Sequence, residues 1–279
     1  MINNKFTGFA MVLSVVIALL TSSTIFASDW ADNHIVGNWE TAVYVDGKRL
    51  LTRVALDTDK EIGIKLREFA EYLGYSVNWE SENKSIELIS EQDKIKIIVD
   101  DNKCQKNGTV INLTKPVYIH DNYSYIPQSF LLDVLGIDTI LVEIAEESNR
   151  VDGVYLAANT MADNGKLTVV LFDDSIVTAN LLSADGKDRR IILGFALAVQ
   201  KEEIEISMDY AEFVKSNESV IKDIIYTSLQ NMKFETYEAI MSDSFRDDFS
   251  TNMAEEINNA IGMQIVKYFY ITSLVIQSR

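Results

Sequence analysis

The chain has 279 residues, 47% of them apolar, so it can bury the cores of two ordinary domains and is not disordered as a whole. Its 42 acidic residues outnumber the 25 basic ones, and the net charge of −17 disfavours binding to nucleic acid or to anionic lipid surfaces. Cys104 is the only cysteine, which excludes an intramolecular disulfide and a cysteine-rich zinc cluster.

The first 28 residues predict an export segment. Lys5 is their only charged residue, and an apolar run over residues 9–20 is followed by small and polar residues. This pattern is typical of a secretory signal that is cleaved near Ala27 or Ser28. The alternative is an uncleaved membrane anchor, because residues 6–27 are uncharged and about 20 such residues span a bilayer. In both cases we expect the rest of the chain to be secreted or held at the outer face of the cytoplasmic membrane.

One pattern occurs twice, about sixty residues apart, and consists of a glycine turn, an extended segment, a short amphipathic helix and then Leu-Gly. The first copy covers residues 44–74 and the second covers residues 106–136. Pro127 is expected at the first position of the second helix, and Gly136 is expected to end it. The apolar residues of the first helix recur at helical spacing and precede a terminating glycine: Leu66, Phe69, Ala70, Leu73 and Gly74. Such a duplication indicates a structural module rather than a catalyst.

Alternating apolar and polar residues predict strands around these helices. Residues 76–80 and 85–89 form a predicted hairpin, and residues 94–99 form a further strand. The second copy contains two short predicted strands, at 117–119 and 123–126. Polar clusters between residues 145 and 166 then predict a connection between two domains.

The duplicated region resembles the copper amine oxidase N-terminal-like domain, also called the stalk domain, which is repeated in many secreted bacterial proteins. The resemblance covers about residues 40–145. It departs from the family at Ile64-Lys65, where Val-Pro is usual, and at Gln128-Ser129, where an Arg usually follows the Pro. The segments that carry it are Val45-Asp46-Gly47-Lys48, Leu66-Arg67-Glu68-Phe69-Ala70 with Leu73-Gly74, Val77-Asn78-Trp79-Glu80, and Tyr125-Ile126-Pro127 with Leu135-Gly136. The drift between the copies argues against a shared ligand surface, and the resemblance implies a small α+β spacer.

The rest of the chain has a different pattern. Residues 167–172, 175–181 and 190–199 predict strands, with a turn at 184–187 before the last of them, and residues 265–276 predict a final strand. Two helices are expected between them, with Ser242 or Ser244 as the N-cap of the second and Gly262 as its end. Their apolar faces consist of Ile221, Ile224, Ile225 and Leu229 in the first helix, and Phe245, Phe249, Met253, Ile257 and Ile261 in the second.

This order of strands and helices resembles the flagellar basal-body-associated FliL family over about residues 166–278. The segments that carry the resemblance are Ile221-Lys222-Asp223-Ile224-Ile225, Met253-Ala254-Glu255-Glu256-Ile257-Asn258, Val266-Lys267-Tyr268-Phe269-Tyr270-Ile271-Thr272 and Val275-Ile276-Gln277. The resemblance implies an extracytoplasmic, non-enzymatic domain of the kind that assembles around the stator units of the flagellar motor. The preceding stalk-like region is a departure from that family, so a motor role does not follow.

Few residues suit catalysis. His34 and His120 are the only histidines, whereas a copper amine oxidase needs three imidazole ligands for its copper. Neither histidine lies near a serine elbow, and His34 is expected in a flexible N-terminal segment, which argues against Ser-His-Asp hydrolysis. Acidic pairs at Asp100-Asp101, Asp173-Asp174 and Asp247-Asp248 leave a hydrolase that uses paired carboxylates as an alternative, although each pair also suits a strand end, a turn or a helix surface.

Three aromatic residues are the candidate ligand or interface residues: Trp79, Tyr268 and Tyr270. Trp79 suits either the packing of the first hairpin or a platform on which a sugar stacks, and the two tyrosines suit a core or a subunit interface. No residue is assigned to catalysis, to a cofactor or to a metal.

The sequence therefore predicts an α+β protein of two domains, each a small, mainly antiparallel sheet with short packed helices, after an N-terminal export signal. The predicted limits are 1–28 for the signal or anchor, 29–150 for the stalk-like domain and 151–279 for the FliL-like domain. We expect a non-catalytic bacterial envelope protein without a cofactor, which binds another envelope protein or itself and meets the membrane only through an uncleaved N-terminus. The alternatives are a module that binds cell-wall carbohydrate and a hydrolase.

Overall fold

The computed structural model describes residues 29–145, 147–158, 167–182, 188–200, 209–232 and 237–278. The predicted export signal and the predicted turn at 184–187 lie outside the described residues. In chain order, the elements are α1 (Asp29–His34), β1 (Ile35–Val45), β2 (Lys48–Asp57), β3 (Ile62–Lys65), α2 (Leu66–Tyr72), β4 (Ser76–Glu80), β5 (Ser85–Ile89), β6 (Lys94–Ile98), β7 (Lys103–Lys106), β8 (Thr109–Asn112), β9 (Tyr118–His120), β10 (Tyr123–Pro127), α3 (Gln128–Asp133), β11 (Ile137–Ala145), β12 (Arg150–Ala158), β13 (Leu167–Leu182), β14 (Asp188–Gln200), α4 (Tyr210–Ser216), α5 (Glu218–Asn231), α6 (Tyr237–Met241), α7 (Asp243–Ile261) and β15 (Val266–Ser278).

Two sheets build the N-terminal unit, which we define as the described residues up to 158. One sheet has seven strands in the order β11-β12-β1-β2-β3-β10-β9, and the other is a five-stranded antiparallel meander from β4 to β8. Strands β1 and β12 run parallel. Both sheets and the helices α2 and α3 contribute side chains to a common apolar core.

The duplicated pattern folds as its sequence predicts. Gly47 and Gly108 have φ values of 85° and 84° in the tight turns that precede β2 and β8, where a residue with a Cβ is strained. Gly74 and Gly136, with φ values of 87° and 67°, follow the two short helices. Pro127 precedes α3 as its cap rather than occupying its first position.

The predicted connection at 145–166 is wrong in its first part, because residues 150–158 form the strand β12. This strand is antiparallel to β11 and parallel to β1, with Ala42 opposite Gly153 and Val45 opposite Leu156. The polar residues just before β12 form only a turn. A parallel pairing across more than 100 residues leaves no local signal, which explains why the polar cluster was interpreted as the end of the domain.

The N-terminal helix α1 corrects the expectation of a flexible segment around His34. The rings of Trp30 and His34 stack with their centroids 4.7 Å apart, and the Trp30 ring lies 4.8 Å from that of Tyr118. His34 Nδ1 also lies 2.7 Å from the carbonyl oxygen of Trp30. These contacts fix α1 against β9, because Trp30 and Ala31 provide an apolar anchor.

The C-terminal unit, defined as the described residues from 167 to 278, has a three-stranded antiparallel sheet in the order β13-β14-β15, with four helices. The strands predicted at 190–199 and 265–276 and both longer helices are present, and the strands predicted separately at 167–172 and 175–181 form the single strand β13, whose register shifts between Leu171 and Ile176. The short helices α4 and α6 were not predicted. Ser242 Oγ accepts a hydrogen bond of 3.1 Å from the Phe245 amide at the start of α7, and Gly262 ends that helix with φ 71°. The α+β class is confirmed. Among the described residues, no helix is both long enough and apolar enough to cross a bilayer.

Candidate functional site

A groove of about 370 Å³ opens in the N-terminal unit between the β4–β5 hairpin and the β9–β10 hairpin. Ile86 and Ile119 are among its lining residues and belong to the buried apolar core, so its floor is apolar and rigid. Trp79 on β4 and Tyr123 on β10 line the groove from different sheets, with 36% and 38% of their surfaces exposed. We refer to this feature as the Trp79 groove.

Charged side chains from the end of β3 and the first turn of α2 also line the Trp79 groove. Lys65 and Glu68 form an ion pair with each other. Arg67 pairs with Glu71 at 3.3 Å and donates a hydrogen bond of 3.1 Å to the carbonyl oxygen of Val77. Each cation therefore has a carboxylate partner in α2, three or four residues later in the chain.

Two cations also lie against the aromatic ring of Tyr123. Lys65 Nζ is 3.8 Å from the ring centroid and Arg53 Cζ is 5.5 Å from it. Arg53 donates to Asn38 Oδ1 at 2.9 Å, and the Asn38 amide donates to Asp121 Oδ2 at 2.8 Å. Because these cation–π contacts and hydrogen bonds restrain the neighbours of Tyr123, its exposed ring is held in position.

The second candidate feature is the contact between the two units, which three tyrosines form. The ring centroids of Tyr44 and Tyr155 are 5.0 Å apart, and both rings meet Tyr270 of β15 edge-on at 5.2 and 5.0 Å. Tyr44 Oη donates a hydrogen bond of 2.9 Å to the carbonyl oxygen of Ile271. All three tyrosines are buried, so this tyrosine cluster belongs to the interior of the molecule.

Tyr268 extends the same contact to the β1–β2 turn. Its hydroxyl donates a hydrogen bond of 3.0 Å to Asp46 Oδ1. A Cβ on Gly47 would lie 3.3 Å from the Tyr268 ring, so the glycine of the first copy also permits a close approach between the units.

Burial changes the acidity of the side chains at this contact. It raises the pKa of Tyr44, Tyr155 and Tyr270 above the ordinary value of 10.0. Nearby, burial and then the positive charge of Arg49 lower the pKa of Arg246. The tyrosines therefore stay neutral and act as packing and hydrogen-bonding groups.

The structure separates the three predicted site residues. Trp79 lies in the groove, whereas Tyr268 and Tyr270 lie at the contact between the units. Sequence reasoning missed Tyr44, Tyr155 and Tyr123, which complete these two features. Tyr123 begins the strand predicted at 123–126, and its position in that strand carries no signal for a groove. Tyr155 was missed because its strand, β12, lies in the segment that the sequence predicts to be a connection between domains.

The residues considered for catalysis do not converge in the described part of the chain. His120 Nε2 lies 3.8 Å from its neighbour Asp121, and the side chains at 173–174 are outside the described residues. Asp247 lies on α7, where burial and then the nearby acids Asp243 and Asp248 raise its pKa against the effect of Lys48. Within the described residues, no three His, Cys, Asp or Glu side chains are grouped to hold a metal ion.

Comparison with known families identifies the larger part of the N-terminal unit. Residues 44–151 match the copper amine oxidase N-terminal domain. This is a non-catalytic, stalk-type domain. The resemblance predicted for residues 40–145 is thereby confirmed, and the whole Trp79 groove lies within the match. No curated protein matches the chain, and the comparisons give no support to the FliL resemblance of residues 166–278.

Proposed function

We propose that this protein is an exported, non-catalytic component of the bacterial cell envelope. The stalk-type domain holds the C-terminal unit in a fixed orientation, and that unit binds another envelope protein or a second copy of itself. The order of strands and helices over 166–278, which resembles the FliL family, supports an assembly role for the C-terminal unit. The observation that carries the proposal is a sheet face that is covered at one end and open at the other.

The covered end of this face meets the stalk-type domain. Ala196 and Ala198 of β14 and Tyr270 of β15 are fully buried and belong to the tyrosine cluster. Because small residues face the tyrosine rings, the two units approach closely. Buried apolar packing together with the Tyr44 hydrogen bond supports one orientation rather than free movement on a linker.

The open end of the same face carries apolar side chains. Thr178, Ile192 and Val275 lie opposite one another across the three strands. Ile176 and Val275 are 57% and 49% exposed. The opposite face of the sheet is packed against the helices, so within the described residues these side chains lie on an uncovered apolar face that suits a protein partner. The outer strands β13 and β15 can also accept an added strand along their edges.

Site-specific photocrosslinking in intact cells tests this proposal. A photoreactive residue placed at Ile176 or Val275 is expected to give a discrete crosslinked product, and mass spectrometry separates a self-product from an envelope partner. The matched control is Val110, which is 60% exposed on β8 of the stalk-type domain. Absence of products at both test positions, or equal products at Val110, would contradict assembly through this face.

A further inference from the structure

The Trp79 groove has the size and composition of a small-molecule site. Its volume of about 370 Å³ falls within the range of roughly 300–1,000 Å³ that is usual for ligand pockets. Its floor is apolar, its walls carry the partly exposed rings of Trp79 and Tyr123, and its rim carries Asn122 and Ser124. A ligand with both an apolar face and hydroxyl groups would match this arrangement.

The charges around the groove are balanced within the protein. Lys65 pairs with Glu68, and Arg67 pairs with Glu71. Arg53 is linked to Asp121 through the side chain of Asn38. An anionic ligand would have to compete with these carboxylates, and a cationic ligand would have to compete with Lys65, Arg67 and Arg53. Net neutrality therefore favours an uncharged ligand, although the whole chain carries −17.

A peptide strand fits the groove less well than a compact ligand does. Strand β4 is at the edge of its sheet, where an added strand would need free backbone acceptors. The carbonyl oxygen of Val77, the second residue of β4, already accepts a hydrogen bond of 3.1 Å from Arg67. The guanidinium group therefore covers the backbone position that strand addition would use.

We propose that the Trp79 groove binds a neutral oligosaccharide. The apolar face of a sugar ring stacks on Trp79, and Tyr123, which lines the groove from the other sheet, contacts the same oligosaccharide. The ion pairs Lys65–Glu68 and Arg67–Glu71 offer both donors and acceptors to hydroxyl groups without contributing net charge. This site is separate from the assembly face of the C-terminal unit, and either proposal can fail without the other.

Titration calorimetry with defined oligosaccharides tests the proposal on the full chain. The probes are tetramers of β-linked glucose and of β-linked N-acetylglucosamine, with a galacturonate tetramer and a neutral Ser-Val hexapeptide as competitors. Binding of at least one neutral tetramer at millimolar or lower Kd is expected. The proposal would be overturned if neither neutral tetramer bound, or if the galacturonate tetramer or the peptide bound more tightly than the neutral tetramers.

Substitutions then locate the binding site. Trp79→Ala and Tyr123→Ala are each expected to raise Kd about tenfold or more, because truncating an aromatic anchor removes most of its contact. Trp79→Phe, which retains a flat apolar face, is expected to bind more tightly than Trp79→Ala. Tyr226→Ala is the matched control, since Tyr226 is 40% exposed on α5 and lies far along the chain from the groove.

Thermal unfolding of each variant separates lost binding from lost folding. If Trp79→Ala lowers Tm, the Tyr123→Ala variant decides the outcome, because Tyr123 lines the same groove from a different sheet. The groove would be rejected as the sugar site if a folded Tyr123→Ala variant kept an unchanged Kd, or if Tyr226→Ala lost as much affinity for the oligosaccharide as the groove variants.

Discussion

Tyr44 Oη donates a hydrogen bond of 2.9 Å to the carbonyl oxygen of Ile271, which lies 227 residues later in the chain. The bond joins the edge of the β1–β2 turn to the last strand through a buried contact. Beside it, the hydroxyl of Tyr270 is buried and has no hydrogen-bond partner among the described residues. The tyrosine cluster therefore contains one hydroxyl that stabilises the contact and another whose burial costs free energy.

Tyr44→Phe and Tyr270→Phe should consequently have unequal effects. Loss of the Tyr44 hydroxyl removes a buried hydrogen bond and is expected to lower the free energy of unfolding by about 1–2 kcal/mol. Tyr270→Phe removes a hydroxyl without a partner and is expected to leave stability unchanged or to raise it slightly. Urea unfolding followed by tryptophan fluorescence measures both. An equal decrease in the free energy of unfolding in the two variants would show that the Tyr44 hydrogen bond does not stabilise the contact.

Alkaline pH should weaken the contact between the units. Burial raises the pKa of Tyr44, Tyr155 and Tyr270, so above pH 10 the unfolded chain releases protons that the folded chain retains. Their contribution to stability is fully present below pH 10 and is lost as the pH rises through the folded values. Each tyrosine contributes a slope of at most about 1.4 kcal/mol per pH unit.

Comparison of the chain with its Tyr270→Phe variant checks this effect. The free energy of unfolding should fall between pH 9 and pH 11.5 in both proteins, and less steeply in the variant, which has one fewer buried tyrosine. The two proteins should differ little at pH 8. Parallel pH profiles would contradict the assignment of this slope to the tyrosine cluster.

Local features of the sequence predicted local structure well. The spacing of Leu66, Phe69 and Leu73 predicted α2, and Ser242 and Gly262 predicted both ends of α7, because capping and amphipathic faces involve residues within one or two turns. Similarly, the alternation over 76–89 predicted the hairpin that carries Trp79.

Long-range pairing was not predictable in the same way. The parallel partner of β1 lies more than 100 residues away, and no short-range pattern distinguishes it from a connection. The groove needs Trp79 and Tyr123 to approach from different sheets, and the tyrosine cluster needs β1, β12 and β15 together. These juxtapositions depend on topology, so their residues were noticed singly or not at all.

A buried lysine provides a second test of stability. Lys115 forms ion pairs with Asp57, Asp59 and Glu61 at 2.5, 3.0 and 3.1 Å. Burial lowers the pKa of Lys115, but the hydrogen bonds that its ammonium group donates to these carboxylates outweigh the burial and raise the pKa above its ordinary value. Lys115→Ala is expected to lower the free energy of unfolding by about 3 kcal/mol, because the carboxylate of Asp57 stays buried without its cation.

Two further variants distinguish the buried pair from the surface pairs around Lys115. Asp59 is mostly exposed, so Asp59→Asn should lower stability by less than about 1 kcal/mol. The double variant Lys115→Met with Asp57→Asn should recover part of the loss, since it leaves no unpaired buried charge. Thermal unfolding at constant pH ranks Lys115→Ala, Asp59→Asn and the double variant by stability. If Asp59→Asn lost as much stability as Lys115→Ala, the buried pair of Lys115 with Asp57 would not be the dominant interaction.

Low pH should destabilise the fold in part by protonating Asp93, which links the turn before β6 to the turn before β8. Asp93 Oδ2 lies 2.9 Å from Lys106 Nζ, and its Oδ1 accepts a hydrogen bond of 2.8 Å from the Asn107 amide. Burial raises the pKa of Asp93, but the hydrogen bonds from Lys106 and Asn107 outweigh it and hold the pKa below the ordinary value of 3.8. The stabilisation is therefore present above pH 3.8 and is lost as the pH falls through the folded value.

Asp93→Asn should lower the free energy of unfolding at pH 7 by roughly 1 kcal/mol and should flatten its decline below pH 4. Glu87→Gln is the control, because the pair of Glu87 with Lys94 is largely exposed and contributes little. Urea unfolding at pH 7 and at pH 3 gives the comparison. Protonation of Asp93 removes the same interactions that the substitution removes. The difference in free energy of unfolding between Asp93→Asn and the unmodified chain should therefore be smaller at pH 3 than at pH 7. A difference of the same size at both pH values would assign the loss to packing instead.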